Sequence, residues 1–207
     1  MKTKVIIALA LLALGVGCAH MSSYAPEPTN EQVKAVLRAS FKDAGQAKLD
    51  RLDQDEVQRL CSAATADKGL AKEDAQRIEK SELATIKYPA DGYMGDWKNG
   101  EKIAQLGRGK QYSDNPDQPS GGNCYACHEL TKEEIAFGTI GPSLRNFGKI
   151  RGFTPEMQKY TYGRIYNSEA YAACSNMPRF GHMGILTERQ IKDVVALLMD
   201  PQSPVNK

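Results

Sequence analysis

The sequence predicts an all-α fold, and three observations carry that expectation. The closing segment has the strongest local signal: Thr187 and Gln190 form a capping box, and Ile191, Val194, Val195 and Leu198 follow at helical spacing. The stretch 26–88 places apolar residues at a similar period among charges. Cys124 and Cys127 stand one helical turn apart, with His128 directly after them.

Read from its start, the chain of 207 residues opens on an export signal over 1–18. Lys2 and Lys4 supply the positive start, and Val5 to Val16 form an apolar run. That run is shorter than the roughly 20 residues a membrane span requires. Leu14-Gly15-Val16-Gly17-Cys18 is similar to a bacterial lipoprotein signal, in which the cysteine is acylated and becomes the new N-terminus. Gly17 fits that pattern, whereas Gly15 stands where leucine is usual. Cleavage after Ala19, guided by the small residues Gly17 and Ala19, is the other reading. Both place the mature chain in the periplasm, tethered through a lipid anchor at Cys18 in the first case and freely soluble in the second. A net charge of +2 gives no electrostatic ground for nucleic-acid binding.

A helical N-terminal extension is expected over 26–92. Thr29 or Asn30 caps a first helix, with Val33, Val36, Leu37 and Phe41 on one face. Gly45 interrupts, and Leu49, Leu52, Val57, Leu60 and Cys61 mark a second stretch. After a turn at 67–69, a third helix runs from Lys72 to Ile86, its charges forming a solvated face, until Tyr88-Pro89 stops it.

The second domain spans 93–207. Asn99-Gly100 introduces a helix through Ile103, Ala104 and Leu106, and Gly100 lets another helix backbone cross closely because it has no side chain. Residues 111–123 are rich in Asp, Asn, Pro and Gly and form a surface loop. Thr131 to Glu134 can cap a further helical turn, Thr154-Pro155-Glu156 starts another helix, and Pro201 ends the last one.

Cys124-Tyr125-Ala126-Cys127-His128 is the attachment signature of a c-type haem. Each thiol adds across one porphyrin vinyl group, and the imidazole of His128 then lies where it can bind iron. A zinc site would need a second ligand pair at similar spacing, and the only other histidines are His20 and His182. Met177, followed by Pro178 in a Ser- and Asn-containing loop, is the first candidate for the opposite axial ligand, ahead of His182 and Met183. Met157 and Met199 are assigned to packing. A Met/His pair raises the reduction potential and closes both faces of the iron, which favours electron transfer over substrate binding. No catalytic residue is assigned.

The loop Ile140-Gly141-Pro142-Ser143-Leu144 can bring the Pro142 carbonyl to the imidazole N–H and lay Leu144 over the porphyrin. Arg179 is the first candidate partner for a haem propionate, with Lys149, Arg151 and Arg164 behind it. Cys61 and Cys174 remain. They form a disulfide in an oxidising compartment, or stay as two buried thiols, or Cys174 serves iron or sulfur chemistry.

These segments, with Met177-Pro178-Arg179-Phe180-Gly181, Tyr162 to Ser168 and the closing Pro204-Val205-Asn206, resemble class I cytochromes c. More narrowly, over about 93–206 they resemble SoxX, the monohaem subunit of the SoxAX cytochromes of bacterial sulfur oxidation. Cys174, so close to Met177, departs from that pattern. The resemblance implies one covalently bound haem c and a heterodimer with the larger haem subunit, SoxA. That complex is a thiosulfate-coupling transferase, an L-cysteine S-thiosulfotransferase, joining thiosulfate oxidatively to a cysteine of the carrier SoxYZ. The sulfur chemistry is expected on the partner subunit, and this chain would pass the released electrons to a soluble cytochrome c acceptor. A stand-alone periplasmic electron carrier and a haem with an open iron face are the competing readings. Spacing and composition say nothing of thiosulfate; that rests on the resemblance alone.

Overall fold

The computed structural model describes residues 27–64 and 69–207, so the export signal, Cys18 and most of the expected 67–69 turn lie outside it. Seven α-helices and no paired strands occur among the described residues, which agrees with the all-α expectation. The chain divides into two units, 1–41 and 42–207. The first holds α1 (Asn30–Ser40), opened by a capping box in which Thr29 and Gln32 satisfy each other's backbone N–H groups. Val33, Val36, Leu37 and Phe41 are all exposed.

Residues 42–92 fall in one compact unit with the C-terminal domain. Gly45 sits at φ +51° in a tight turn whose flanking Ala44 and Ala47 exchange two backbone hydrogen bonds of 2.9 Å. The second stretch splits into a 3-10 turn, Leu49–Leu52, and α2 (Glu56–Ala63). Asp55 caps α2 in a capping box with Gln58. α3 (Lys72–Leu83) ends short of the expected Ile86, because the last carbonyls are taken by tighter i+3 bonds from Thr85 and Ile86. It buries Ile78 and Glu82.

The core forms where α4 (Trp97–Gln105) crosses α7 (Glu188–Met199). Asp96 caps α4, so the helix starts ahead of the expected Asn99-Gly100 and carries Gly100 in its interior. That glycine is where the helices touch. A Cβ on it would come within 2.7 Å of the Asp193 carbonyl carbon and 3.0 Å of the Leu197 Cβ. Just before α4, the Gly95 N–H donates to the Lys192 carbonyl (3.0 Å) and the Asp96 N–H to Asp193 Oδ1 (2.8 Å). α7 is buried continuously from Ile191 to Met199. α6 (Pro155–Tyr166), capped by Thr154, packs beside it and buries Tyr162; Met157 and Met199 pack in the core as expected.

The closing Pro204-Val205-Asn206 has a structural role. The Asn206 side-chain carbonyl accepts from the N–H groups of Gly148 (3.0 Å) and Lys149 (3.3 Å) in the short helix α5 (Phe147–Arg151). Its amide donates to the carbonyls of Leu198 (3.0 Å) and Asp200 (2.9 Å) at the end of α7. One buried side chain thus satisfies the unpaired ends of two helices. Asn206→Ala is expected to lower the unfolding free energy by about 2–4 kcal/mol, since several buried polar groups lose partners at once. Denaturant titration checks this. Asn206→Asp should recover only part of the loss, because a carboxylate accepts from α5 but donates nothing to α7.

Candidate functional site

The Cys124–His128 segment is pinned to the end of α4. Its approach is fixed by hydrogen bonds from the Gly122 N–H to the Ile103 carbonyl (2.8 Å) and from the Asn123 N–H to the Leu106 carbonyl (3.1 Å). Asn123 turns the chain at φ +46° into a 3-10 turn, Cys124–Ala126. The N–H groups of Cys127 and His128 both return to the Cys124 carbonyl, so the predicted single turn is present. Tyr125 points into the core, where its hydroxyl donates to Glu101 Oε1 (2.9 Å). Cys124, Cys127 and His128 remain half-buried, and both thiols are unpaired. Burial pushes the Cys124 thiol up to about 12, so it is held neutral before attachment.

His128 meets Pro142 as the sequence suggested: Nδ1 lies 2.7 Å from the Pro142 carbonyl oxygen. A carbonyl only accepts, so Nδ1 carries the proton and Nε2 keeps its lone pair for a metal. Gly141 lies flat against the ring; a Cβ there would approach Nε2 to 2.7 Å. Leu144 is half-buried against the core. Two thiols one turn apart and an imidazole with an unprotonated Nε2 are the donors that haem c takes, so these residues fit that group.

The helical turn expected at Thr131–Glu134 does not form. Thr131 Oγ1 accepts the Glu134 N–H at 3.4 Å, yet no helix follows. The residues that would continue a helix bond elsewhere: the Ala136 N–H donates to the Glu134 carboxylate (2.7 Å) and the Gly138 N–H to the Tyr125 carbonyl (2.8 Å), while further on Gly141 bonds to Cys127 (2.9 Å) and Leu144 to Glu129 (2.7 Å). A chain bonded to its neighbour cannot also close i−4 rings.

Met177 belongs to a second cluster. Its N–H donates to Ser175 Oγ (3.2 Å), and its carbonyl accepts from the Ser168 hydroxyl. The segment lines a cavity of about 700 Å³, with Val57, Met177, Met183, Ile185 and the Cys61–Cys174 pair among its walls. Cys124, Cys127 and His128 are not part of that lining. The chain after Met177 nevertheless runs toward the cysteine turn, because a Cβ on Gly122 would meet both Cys124 Sγ (3.1 Å) and Leu186 Cδ1 (3.7 Å).

Arg179, expected beside a haem propionate, is paired with two carboxylates of the chain itself. Only 8% exposed, its guanidinium pairs with Asp55 Oδ2 and with Glu82 Oε2 (3.4 Å). Two carboxylates already neutralise it. Glu82 also accepts from Asn167 Nδ2 (2.7 Å), and Asn167 and Thr85 flank His182 Nδ1, which lies 3.1 Å from the Thr85 hydroxyl. Arg151 lies over the Phe147 ring and Arg164 over the Tyr171 ring. Cys61 and Cys174 form a disulfide with Cα atoms 5.4 Å apart, closing 113 residues of chain. Asp55 and Glu82 were not among the residues singled out from sequence. Asp55 carried a signal as the cap of α2, whereas nothing local marks Glu82 as buried.

Known proteins resemble this chain in three ways. The family described as Cytochrome c matches residues 106–200. A protein of Aquifex aeolicus (strain VF5) named "Uncharacterized lipoprotein" is 40% identical over 215 residues, covering 100% of both chains. The crystal structure of SoxXA from P. pantotrophus aligns with a TM-score of 0.39 and 23% identity over 57% of this chain and 90% of that one.

Proposed function

We propose, from the premise that this chain belongs to one family with the Aquifex aeolicus lipoprotein and carries a cytochrome c domain with covalently bound haem c, that it is a one-electron relay working outside the cytoplasm. The observation that carries the proposal is the 2.7 Å contact between His128 Nδ1 and the Pro142 carbonyl oxygen, beside two unpaired cysteines one turn apart. Bound haem c supplies a one-electron iron couple. Cys124 and Cys127 hold the group as thioethers, and His128 offers Nε2. The Pro142 carbonyl keeps the ring oriented and more basic. Leu144, half-buried against the core, would give the group an apolar cover. Met177 would help to hold the iron through its thioether, a second protein donor beside His128, and a Met/His pair favours outer-sphere electron transfer over substrate binding.

The finer reading is that of a SoxX-type subunit, supported by the sequence resemblance over the second domain. In it the chain pairs with SoxA, receives electrons when thiosulfate is coupled to SoxYZ, and hands them to a soluble cytochrome c. Attachment through Cys18 is supported by the signal-like residues before it and by the lipoprotein name of the relative. Two or more acyl chains there give stable membrane anchorage.

Met177→Ala tests the relay. It should abolish the weak red charge-transfer band of a thioether–iron(III) bond and lower the potential by on the order of 0.1 V, within the roughly 0.8 V that axial ligands span. A variant with the wild-type spectrum and potential would remove Met177 from the iron. Gel filtration with the larger haem subunit then separates the roles: co-elution supports the subunit, and separate elution supports a stand-alone carrier.

A further inference from the structure

We infer that α2 is a splint for the methionine segment: Cys61 and Asp55 hold Cys174 and Arg179, and so keep Met177 seated. This rests on Met177 being the axial ligand. Cys174 precedes Met177 by three residues and Arg179 follows it by two. Each is fastened to the same short helix. Arg179 pairs with Asp55, the N-cap of α2, and Cys174 is bonded to Cys61 in its last turn. The two fastening points lie about 9 Å apart along the helix, at about 1.5 Å per residue. The ligand is thereby bracketed on both sides.

The segment needs such a brace. It carries no helix of its own between Ala170 and Glu188, and loops of this kind are where local opening costs least. Cys174 holds φ +61°, a left-handed conformation that a residue with a side chain adopts only when its surroundings impose it. The disulfide imposes it from one direction, and from the other Glu169 accepts the Cys174 N–H at 2.6 Å. Nor is the Arg179 link a surface pair of small value. Its side chain is 8% exposed, although that of Asp55 is 41%, so removing the Asp55 carboxylate leaves a buried guanidinium with Glu82 (11% exposed) as its remaining ion-pair partner. These four are positioning residues, acting on iron only through Met177.

A merely structural role for the disulfide is separable by experiment. The purified ferric holoprotein is mixed with imidazole, whose binding is limited by dissociation of the methionine. The Cys61→Ser/Cys174→Ser variant is compared with Asp55→Asn, which keeps the disulfide, and with Asn206→Ala, which weakens the fold far from α2. Splinting predicts that the first two bind imidazole about tenfold faster or more and lose charge-transfer intensity, while Asn206→Ala stays within about twofold of wild type. Equal acceleration in Asn206→Ala, or none in the other two, overturns the inference. If the disulfide variant does not fold, Asp55→Asn against Asn206→Ala decides alone. A wild-type protein lacking the thioether band would instead fail the ligand assignment, and with it the splint, so the two failures are told apart.

Discussion

His128→Ala is expected to yield at least about tenfold less low-spin haem per chain, since in the proposed relay the side chain would supply the iron's nitrogen donor and not merely its support. Three contacts of the native ring show what is lost. Its Nδ1 proton is held by the Pro142 carbonyl, its face lies on Gly141, and its backbone N–H closes the turn that sets the two cysteines one turn apart. Alanine keeps only the last of these. Cys124 and Cys127 therefore remain positioned to hold haem, and the space beside Gly141 that the imidazole filled is left open. Added imidazole should enter that space and restore the low-spin spectrum, an outcome that a folding defect would not give. Visible spectra and haem content per chain measure both effects. An unchanged spectrum would transfer the ligand role to another nitrogen, His182 being the one other histidine among the described residues.

Gly100→Val should cost about 3 kcal/mol or more of unfolding free energy, read as a fall in the denaturant midpoint at constant slope. The obstacle to a side chain at this position is backbone, the Asp193 peptide of α7, which cannot rotate aside. α7 in turn is buried on both sides of Asp193, so it cannot retreat without opening the core. Gly100→Ala sets two effects against each other: a gain of about 1 kcal/mol in helix propensity and a clash with the same peptide. Destabilisation by alanine would show that contact decides; stabilisation would show that the helices part easily. The variants should also disturb the cysteine turn, because Ile103 and Leu106 on the same helix hold Gly122 and Asn123.

Much of this was legible where short-range chemistry dictates structure. The caps at Thr29, Thr187 and Thr154 started helices as expected, and Gly100 marked the crossing. Pro142 could be tied to His128 because a single loop joins them, 14 positions apart, and a metal-binding imidazole needs its other nitrogen held. Long-range charge pairing was not legible. Arg179 finds Asp55 and Glu82 across 124 and 97 residues, and a guanidinium near a candidate ligand reads the same whether a propionate or a carboxylate faces it. Thr131–Glu134 misled for the opposite reason. Its local capping pattern is real, but the N–H groups that would continue the helix, those of Ala136 and Gly138, are taken by the Glu134 carboxylate and the Tyr125 carbonyl.

The sulfur inventory imposes an order on biogenesis. Cys61 and Cys174 must surrender electrons to an oxidant, whereas Cys124 and Cys127 must arrive reduced, since only a thiol can add to a vinyl group. Both demands fall on one polypeptide in one compartment. The fold helps to keep them apart: half-buried, with its thiol held protonated by desolvation, Cys124 is a poor nucleophile toward the Cys61–Cys174 disulfide once the chain has collapsed. Scrambling is thus a hazard of the nascent chain, and a cell making this protein needs its reductant at hand before folding is complete.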